Sequence, residues 1–288
     1  MKKRIFIFGM AMLIIVMAPA LVTAVDSVFI TAPTAQQQST EPIDNGTAIK
    51  NMFEAGNQYL SEGRYERAIE EYNRIKETLG GSTDPNMVNA FFNRGLAYHM
   101  IGEYDNAIDD FSIVIGINPQ DDRAYYHRGN ALAMTREYDR AIEDYTAAIG
   151  INPADYRFYY NRGLTFQENS RNFDRAIEDF KQAIRLSPED PKLYCFLGIT
   201  YYKKHQYTSA ASAFDNAVAR DPNYAEAYTG RGQSYLRKGN RSKAIADFRK
   251  ACSLGERAGC AMEELLLRSD GIPAETVHRE KQEGDLYE

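Results

Sequence analysis

A glycine returns along this chain at near-constant spacing. It stands at Gly95, Gly129, Gly163, Gly198 and Gly232, in steps of 34, 34, 35 and 34 residues, and Gly56 precedes the series by 39. A period of this size constrains the fold strongly, because each copy must bury its apolar face on its neighbours. The stretch from Asp122 to Pro153 shows the unit. Apolar residues fall three or four apart over Ala124–Thr135 and again over Tyr138–Ile149. That spacing predicts two helices joined by a short polar turn, with Asn152-Pro153 ending the second. Other positions keep the same register. Ala68, Ala107, Ala141, Ala176, Ala210 and Ala244 are each followed four residues on by Tyr72, Phe111, Tyr145, Phe180, Phe214 and Phe248. One inserted residue displaces Ala176. Pro119, Pro153, Pro188 and Pro222 close the central copies.

Six copies of this pattern, between Thr47 and Leu254, resemble the tetratricopeptide repeat. The resemblance implies an all-α fold, a right-handed superhelical solenoid of about six helix-turn-helix repeats ended by a C-terminal capping helix. The Gly and Ala would let paired helices approach, and the aromatics would fill the space between pairs. Phe91, Tyr125, Tyr159, Tyr194 and Tyr228 stand where the family carries Trp, in a chain with 20 Tyr and no Trp. In that family the first helices line a concave groove that binds a protein or an extended peptide.

The amino terminus reads as a targeting segment. Lys2-Lys3-Arg4, the apolar run Ile5–Val22 and the small residues to Ala24 have the three parts of a secretory signal peptide. An uncleaved membrane anchor is the competing reading, since the run is near bilayer-spanning length. Either places the repeats outside the cytoplasm, periplasmic or secreted. Residues 25–46 carry no helical period and read as a disordered linker, and 270–288 as a disordered charged tail. The formal net charge is −6, and −9 once the three cations of residues 1–24 are removed. That balance argues against nucleic acid as a partner.

No HExxH, GxSxG, P-loop or dinucleotide fingerprint occurs, and His99, His127, His205 and His278 form no ligand set. Acidic pairs such as Glu143-Asp144 recur from repeat to repeat, as a structural feature does, so no enzyme, cofactor or metal is expected. Cys252 and Cys260 lie close together after the last repeat. Their separation and an oxidising compartment predict a disulfide, with Cys195 a free core residue.

A charge pattern predicts contacts between helices. Arg94, Arg128, Arg162 and Arg231 precede the repeat Gly, and Asp110, Asp144, Asp179 and Asp247 precede the second-helix aromatic. Repeat five lacks both partners, having Leu197 and Ala213. Joint presence and joint absence predict Arg–Asp pairs inside each repeat, expected to be partly exposed and worth about 1 kcal/mol or less each.

Repeat spacing places Asn57, Asn93, Asn130, Asn161, Arg123, Arg157, Lys192, Tyr126, Tyr160 and Tyr202 on the groove, with His127 between Asn93 and Asn161 in a polar ladder suited to a peptide backbone. Some family members clamp a partner's terminal carboxylates with Asn and basic residues from three successive repeats. Asn57, Asn93 and Arg123 occupy matching places, while Phe53 stands where the family has Lys and His127 where it has Arg. The function expected is a non-enzymatic scaffold. The alternative is a structural part of an envelope complex that self-associates without a peptide ligand.

Overall fold

The computed structural model describes residues 45–80, 85–169 and 172–269. The signal or anchor segment, residues 25–44 of the expected linker and the tail 270–288 lie outside them. Asn45 and Gly46, read above as the linker's end, instead open the first helix.

Thirteen helices follow among the described residues: α1 (Asn45–Ser61), α2 (Tyr65–Leu79), α3 (Pro85–Met100), α4 (Tyr104–Ile117), α5 (Asp122–Met134), α6 (Tyr138–Ile151), α7 (Tyr156–Glu168), α8 (Phe173–Leu186), α9 (Pro191–Lys203), α10 (Tyr207–Arg220), α11 (Ala225–Arg237), α12 (Arg241–Ser253) and α13 (Arg257–Ser269). Side-chain caps explain several starts. The carboxylates of Asp121, Asp155 and Asp190 accept from the first backbone N–H groups of α5, α7 and α9, and Asn172 and Asn240 cap α8 and α12. None of these helices is long and apolar enough to cross a membrane.

Each odd-numbered helix packs on the even one that follows, and each even helix on the next odd one. Odd helices also touch in series, α1 to α3, α3 to α5, α5 to α7, α9 to α11 and α11 to α13. Among the described residues no two even helices are in comparable contact, so the first helices of the repeats form the closer-packed, inner layer. Between α7 and α9 side chains make the link, Gln167 Nε2 donating to Thr200 Oγ1 at 2.9 Å.

The repeat residues meet as their register predicts. Tyr72, Phe111, Tyr145, Phe180, Phe214 and Phe248 are fully buried, as are the six alanines four residues before them. A Cβ added at Gly129 would lie 2.9 Å from the Tyr145 ring, and at Gly198 2.8 Å from that of Phe214. No side chain fits there, so the two helices of a repeat close through this contact. Tyr159, Tyr194 and Tyr228 donate to the carbonyls of Pro153, Pro188 and Pro222 at 3.3, 3.0 and 3.1 Å, anchoring the turns between repeats.

All four charge pairs form, each bidentate. Nε and Nη2 of Arg94, Arg128, Arg162 and Arg231 donate to both oxygens of Asp110, Asp144, Asp179 and Asp247 at 2.6–2.9 Å. Three pairs are partly exposed as expected, their Arg side chains 18–20% exposed, while the first pair is buried. Arg94 and Asp110 are only 8% and 3% exposed, and the other three carboxylates lie below 10%. The remaining nitrogen, Nη1, crosses to the previous repeat. Arg128 reaches Ser112 Oγ at 3.0 Å, Arg162 Thr146 Oγ1 at 2.9 Å, Arg231 Asp215 at 2.7 Å, and Arg94 reaches Asn73. One guanidinium therefore ties three helices.

The carboxyl end is closed by α13. Met262 and Leu266 pack on Phe248 and Ala244. Cys252 and Cys260 form a disulfide with their Cα atoms 4.5 Å apart, and Gly255, at φ +89°, makes the turn between them. Arg249 pairs with Glu263 at 2.8 Å, and Arg241 donates to the Leu266 carbonyl. Cys195 is a free, buried thiol that burial pushes up to about 12, which leaves it unreactive.

Candidate functional site

Three cations stand one repeat apart along the inner layer. Arg123, Arg157 and Lys192 each lie in the first turn of their helix, where the capping Asp accepts their own backbone N–H. The caps also steer two side chains. Asp121 holds Nε and Nη2 of Arg123 at 3.4 and 3.3 Å, and Asp155 holds Nε of Arg157 at 2.9 Å. The guanidinium of Arg123 lies 4.9 Å from the Phe92 ring centroid of the previous repeat, and that of Arg157 lies 5.6 Å from Tyr126. Both side chains stay more than half exposed, and Lys192 is exposed as well. A guanidinium carries five N–H donors, so each Arg keeps donors for an incoming carboxylate.

Tyr160 continues the aromatic row, edge-on to Phe196 at 5.3 Å, and burial raises its phenol well above the usual range. Tyr202 lies further along, accepting from Arg237 Nε at 3.1 Å and edge-on to Tyr207.

The amides have a different setting. Asn57 Oδ1 accepts from Tyr72 Oη and from Asn93 Nδ2, both at 2.8 Å. Asn130 Oδ1 likewise accepts from Tyr145 Oη at 2.8 Å and from Asn161 Nδ2 at 3.1 Å, and Asn161 also donates to Tyr126 Oη at 3.0 Å. These are junctions between repeats one and two, and between three and four. At the junction between two and three, His127 takes the place of the second Asn and stacks on Phe111 at 5.7 Å, with Phe92 and Tyr126 edge-on. Between four and five, Phe196 stacks on Phe180. Between five and six, Gly230 lies against Phe214 with no room for a Cβ.

His127 is thus set among rings. Burial first, then the charges of His99, Arg157 and Arg123, lower its pKa to about 4, so at neutral pH it supplies no cation. The carboxylate-clamp places are therefore occupied as follows. Asn57 and Asn93 bond each other and Tyr72, Phe53 packs edge-on to Tyr72, His127 is neutral, and Arg123 alone presents charge. Among the described residues no group of His, Cys, Asp or Glu is arranged to hold a metal ion.

Family models agree with this architecture. Residues 88–121 and 122–155 match the model described as tetratricopeptide repeat, 172–205 one described as TPR repeat, and 197–259 a further tetratricopeptide repeat model. The chain is a tetratricopeptide repeat protein. Solved structures of similar fold include MamA from Desulfovibrio magneticus RS-1, at 24% identity and TM-score 0.58, covering 63% of this chain and 99% of that one. The structure of YrrB, described as a TPR protein with an unusual peptide-binding site, is 19% identical at TM-score 0.55, covering 70% and 98%. That of Pseudomonas aeruginosa pilF is 18% identical at TM-score 0.59, covering 73% and 93%. At these identities the likeness concerns the fold alone. No curated protein matches the chain.

Two features of this tetratricopeptide array escaped the sequence reading. The Nη1 arm of each Arg has an unlike acceptor each time, Asn73, Ser112, Thr146 or Asp215, always one residue after the buried aromatic. The Asn–Tyr–Asn junctions have a signal that a one-repeat register hides. Tyr replaces Phe on the second helix where Asn57 or Asn130 follows the repeat Gly and the next repeat brings Asn93 or Asn161.

Proposed function

We propose that the protein is a non-enzymatic adaptor outside the cytoplasm, binding an extended acidic segment of a protein partner along the inner faces of α3, α5, α7 and α9. The observation that carries this reading is the row of Arg123, Arg157 and Lys192, spaced by one repeat, with Arg123 beside Phe92 and Arg157 beside Tyr126. The row is exposed and cationic on a chain whose overall charge is negative. The rings offer apolar contact between charges, and the cations fix carboxylates at repeat spacing. Asn57, Asn93, Asn130, Asn161 and His127 hold the repeats in register beneath that row. Tetratricopeptide proteins bind proteins and peptides, and the YrrB description supports a peptide ligand for this kind of surface. The tripartite amino terminus and the Cys252–Cys260 disulfide support an oxidising, extracytoplasmic location.

Affinity capture from envelope extracts, with crosslinking to map the bound face, tests the reading. Affinity for the captured partner should fall roughly tenfold or more in Arg123→Ala and in Arg157→Ala, and should weaken as salt rises. Unchanged binding in both, with folding intact, removes the inner face as the site. Amino-terminal sequencing of the mature protein should begin at Val25, and an intact Met1 on membrane-bound protein points to an anchor instead. Self-association has one supporting observation, the exposed Leu265 on α13, and light scattering across concentration tests it.

A further inference from the structure

At four of the five junctions between repeats an Arg, its Asp and a polar acceptor of the previous repeat bind helices together. The junction between repeats four and five has none of the three. Leu197 replaces the Arg, Ala213 the Asp, and Lys181 the acceptor, one residue after Phe180. What remains is an open trough of about 550 Å³ between α8 and α10, floored by α9. Ile184, Leu197 and Ala213 supply apolar surface. Lys181 and Arg185 stand exposed on the α8 side, and Ser209 and Ser212 on the α10 side. Arg185 donates to Gln182, and no carboxylate of the described residues pairs with Arg185 or Lys181. At this register every other junction holds an acid against a cation, and the ion pair of Lys204 with Asp174 lies at the far end of α9. Here Lys181 brings a cation to the acceptor's place, and no acid stands at that register.

We propose that this trough is a second docking site, distinct from the inner face, and that its occupant is the acidic segment Glu283–Glu288 of the chain itself. Leu286 and Tyr287 fill the apolar floor, and Asp285 with Glu283 or Glu288 supplies the missing carboxylates to Lys181 and Arg185. Three observations favour this occupant. Glu283–Glu288 contains three acids and no cation, which complements the two unpaired cations. Leu286-Tyr287 is the adjacent apolar pair beyond α13, with acids on both sides, whereas Ile272 and Val277 stand singly. Reach is sufficient. The nineteen residues after Ser269 can extend roughly 60 Å. Packed helices lie about 10 Å apart, so the steps from α13 back to α9 amount to about 40 Å at most. The contact is therefore open within one chain or between two.

Carbodiimide crosslinking of the full chain tests this, because it joins amines to carboxylates in contact. Peptide mapping should find Lys181 linked to Glu283, Asp285 or Glu288 well above the links formed by exposed Lys250. Mixing isotope-labelled and unlabelled chains distinguishes contact within a chain from contact between copies, and either supports the assignment. Leu286→Ala should lower the Lys181 links roughly tenfold while leaving every acid in place. A double variant, Leu197→Arg with Ala213→Asp, rebuilds the pair found at the other junctions, and should abolish the links with thermal unfolding no worse than that of the parent chain. Links at Lys181 no more frequent than at Lys250 would overturn the proposal. So would undiminished links in Leu286→Ala, since the apolar floor would then be unused.

Discussion

At Tyr145 a single hydroxyl separates two kinds of junction between repeats. It donates to Asn130, which also receives Asn161, so removing it leaves a partly buried amide oxygen short of one donor. Tyr145→Phe should cost on the order of 1–2 kcal/mol in urea unfolding, more than its lost oxygen would suggest on an exposed ring. The converse, Phe180→Tyr, sets a hydroxyl beneath Phe196 without an amide and should also destabilise. His127 makes a second prediction at this scale. Its folded pKa is lowered to about 4, while in the unfolded chain it titrates near 6.5. Below 6.5 the unfolded state binds a proton that the folded state refuses. Stability is therefore complete above that pH and drains away as pH falls toward 4, by up to about 3 kcal/mol. Burial lowers the His99 pKa as well and adds to the same slope, so the measurement is a difference. His127→Phe, which copies Phe196, should flatten the profile relative to the parent across that window. Equal slopes would show that His127 titrates normally.

The helix pair is the scale at which the sequence spoke most clearly. Gly, Ala and aromatic positions announce the pair because each is dictated by one close contact, repeated six times. Arg94, Arg128, Arg162 and Arg231 were legible with their Asp partners because Leu197 and Ala213 lose both at once. Their burial was not legible, since it depends on how the previous repeat covers them. Burial also changes the energetics. It raises the Asp110 and Asp179 carboxyls above their usual range despite the Arg beside each, so desolvation offsets much of the attraction. Asp110→Ala alone strands the buried Arg94 and should cost about 3–5 kcal/mol. Arg94→Leu together with Asp110→Ala copies repeat five and should come within about 1 kcal/mol of the parent. A double variant as unstable as the single one would show that the pair itself, and not its stranded half, holds the helices. The groove was less legible for a related reason. Asn93, Asn161 and His127 sit at inner-face positions, yet their partners lie in other repeats at an offset that varies with the ring beneath them.

For the whole array, stability is close to a sum over repeats and their interfaces, so the ends decide where unfolding begins. The Cys252–Cys260 disulfide closes the last repeat onto α13, with Arg249–Glu263 and the Met262 and Leu266 packing beside it. Cys252→Ser should lower stability by about 2–3 kcal/mol. Hydrogen exchange should quicken first in α12 and α13, with α3 to α6 unchanged. Uniform loss of protection along the chain would show that the array unfolds as one unit.

The alternation of junctions also sets a parity on how such an array can lengthen. Repeats one and three end in a hydroxyl and expect an amide next, while repeats two and four bring that amide and end in a bare ring. A tandem copy of repeat two alone would bring a second Asn93 onto Phe111 and Leu96, where its amide has no oxygen to meet. A copy of repeats two and three together restores every partner, Asn93 meeting Asn130 and Arg94 meeting Thr146. Over its first four repeats the chain can therefore be lengthened by this doublet more readily than by a single repeat.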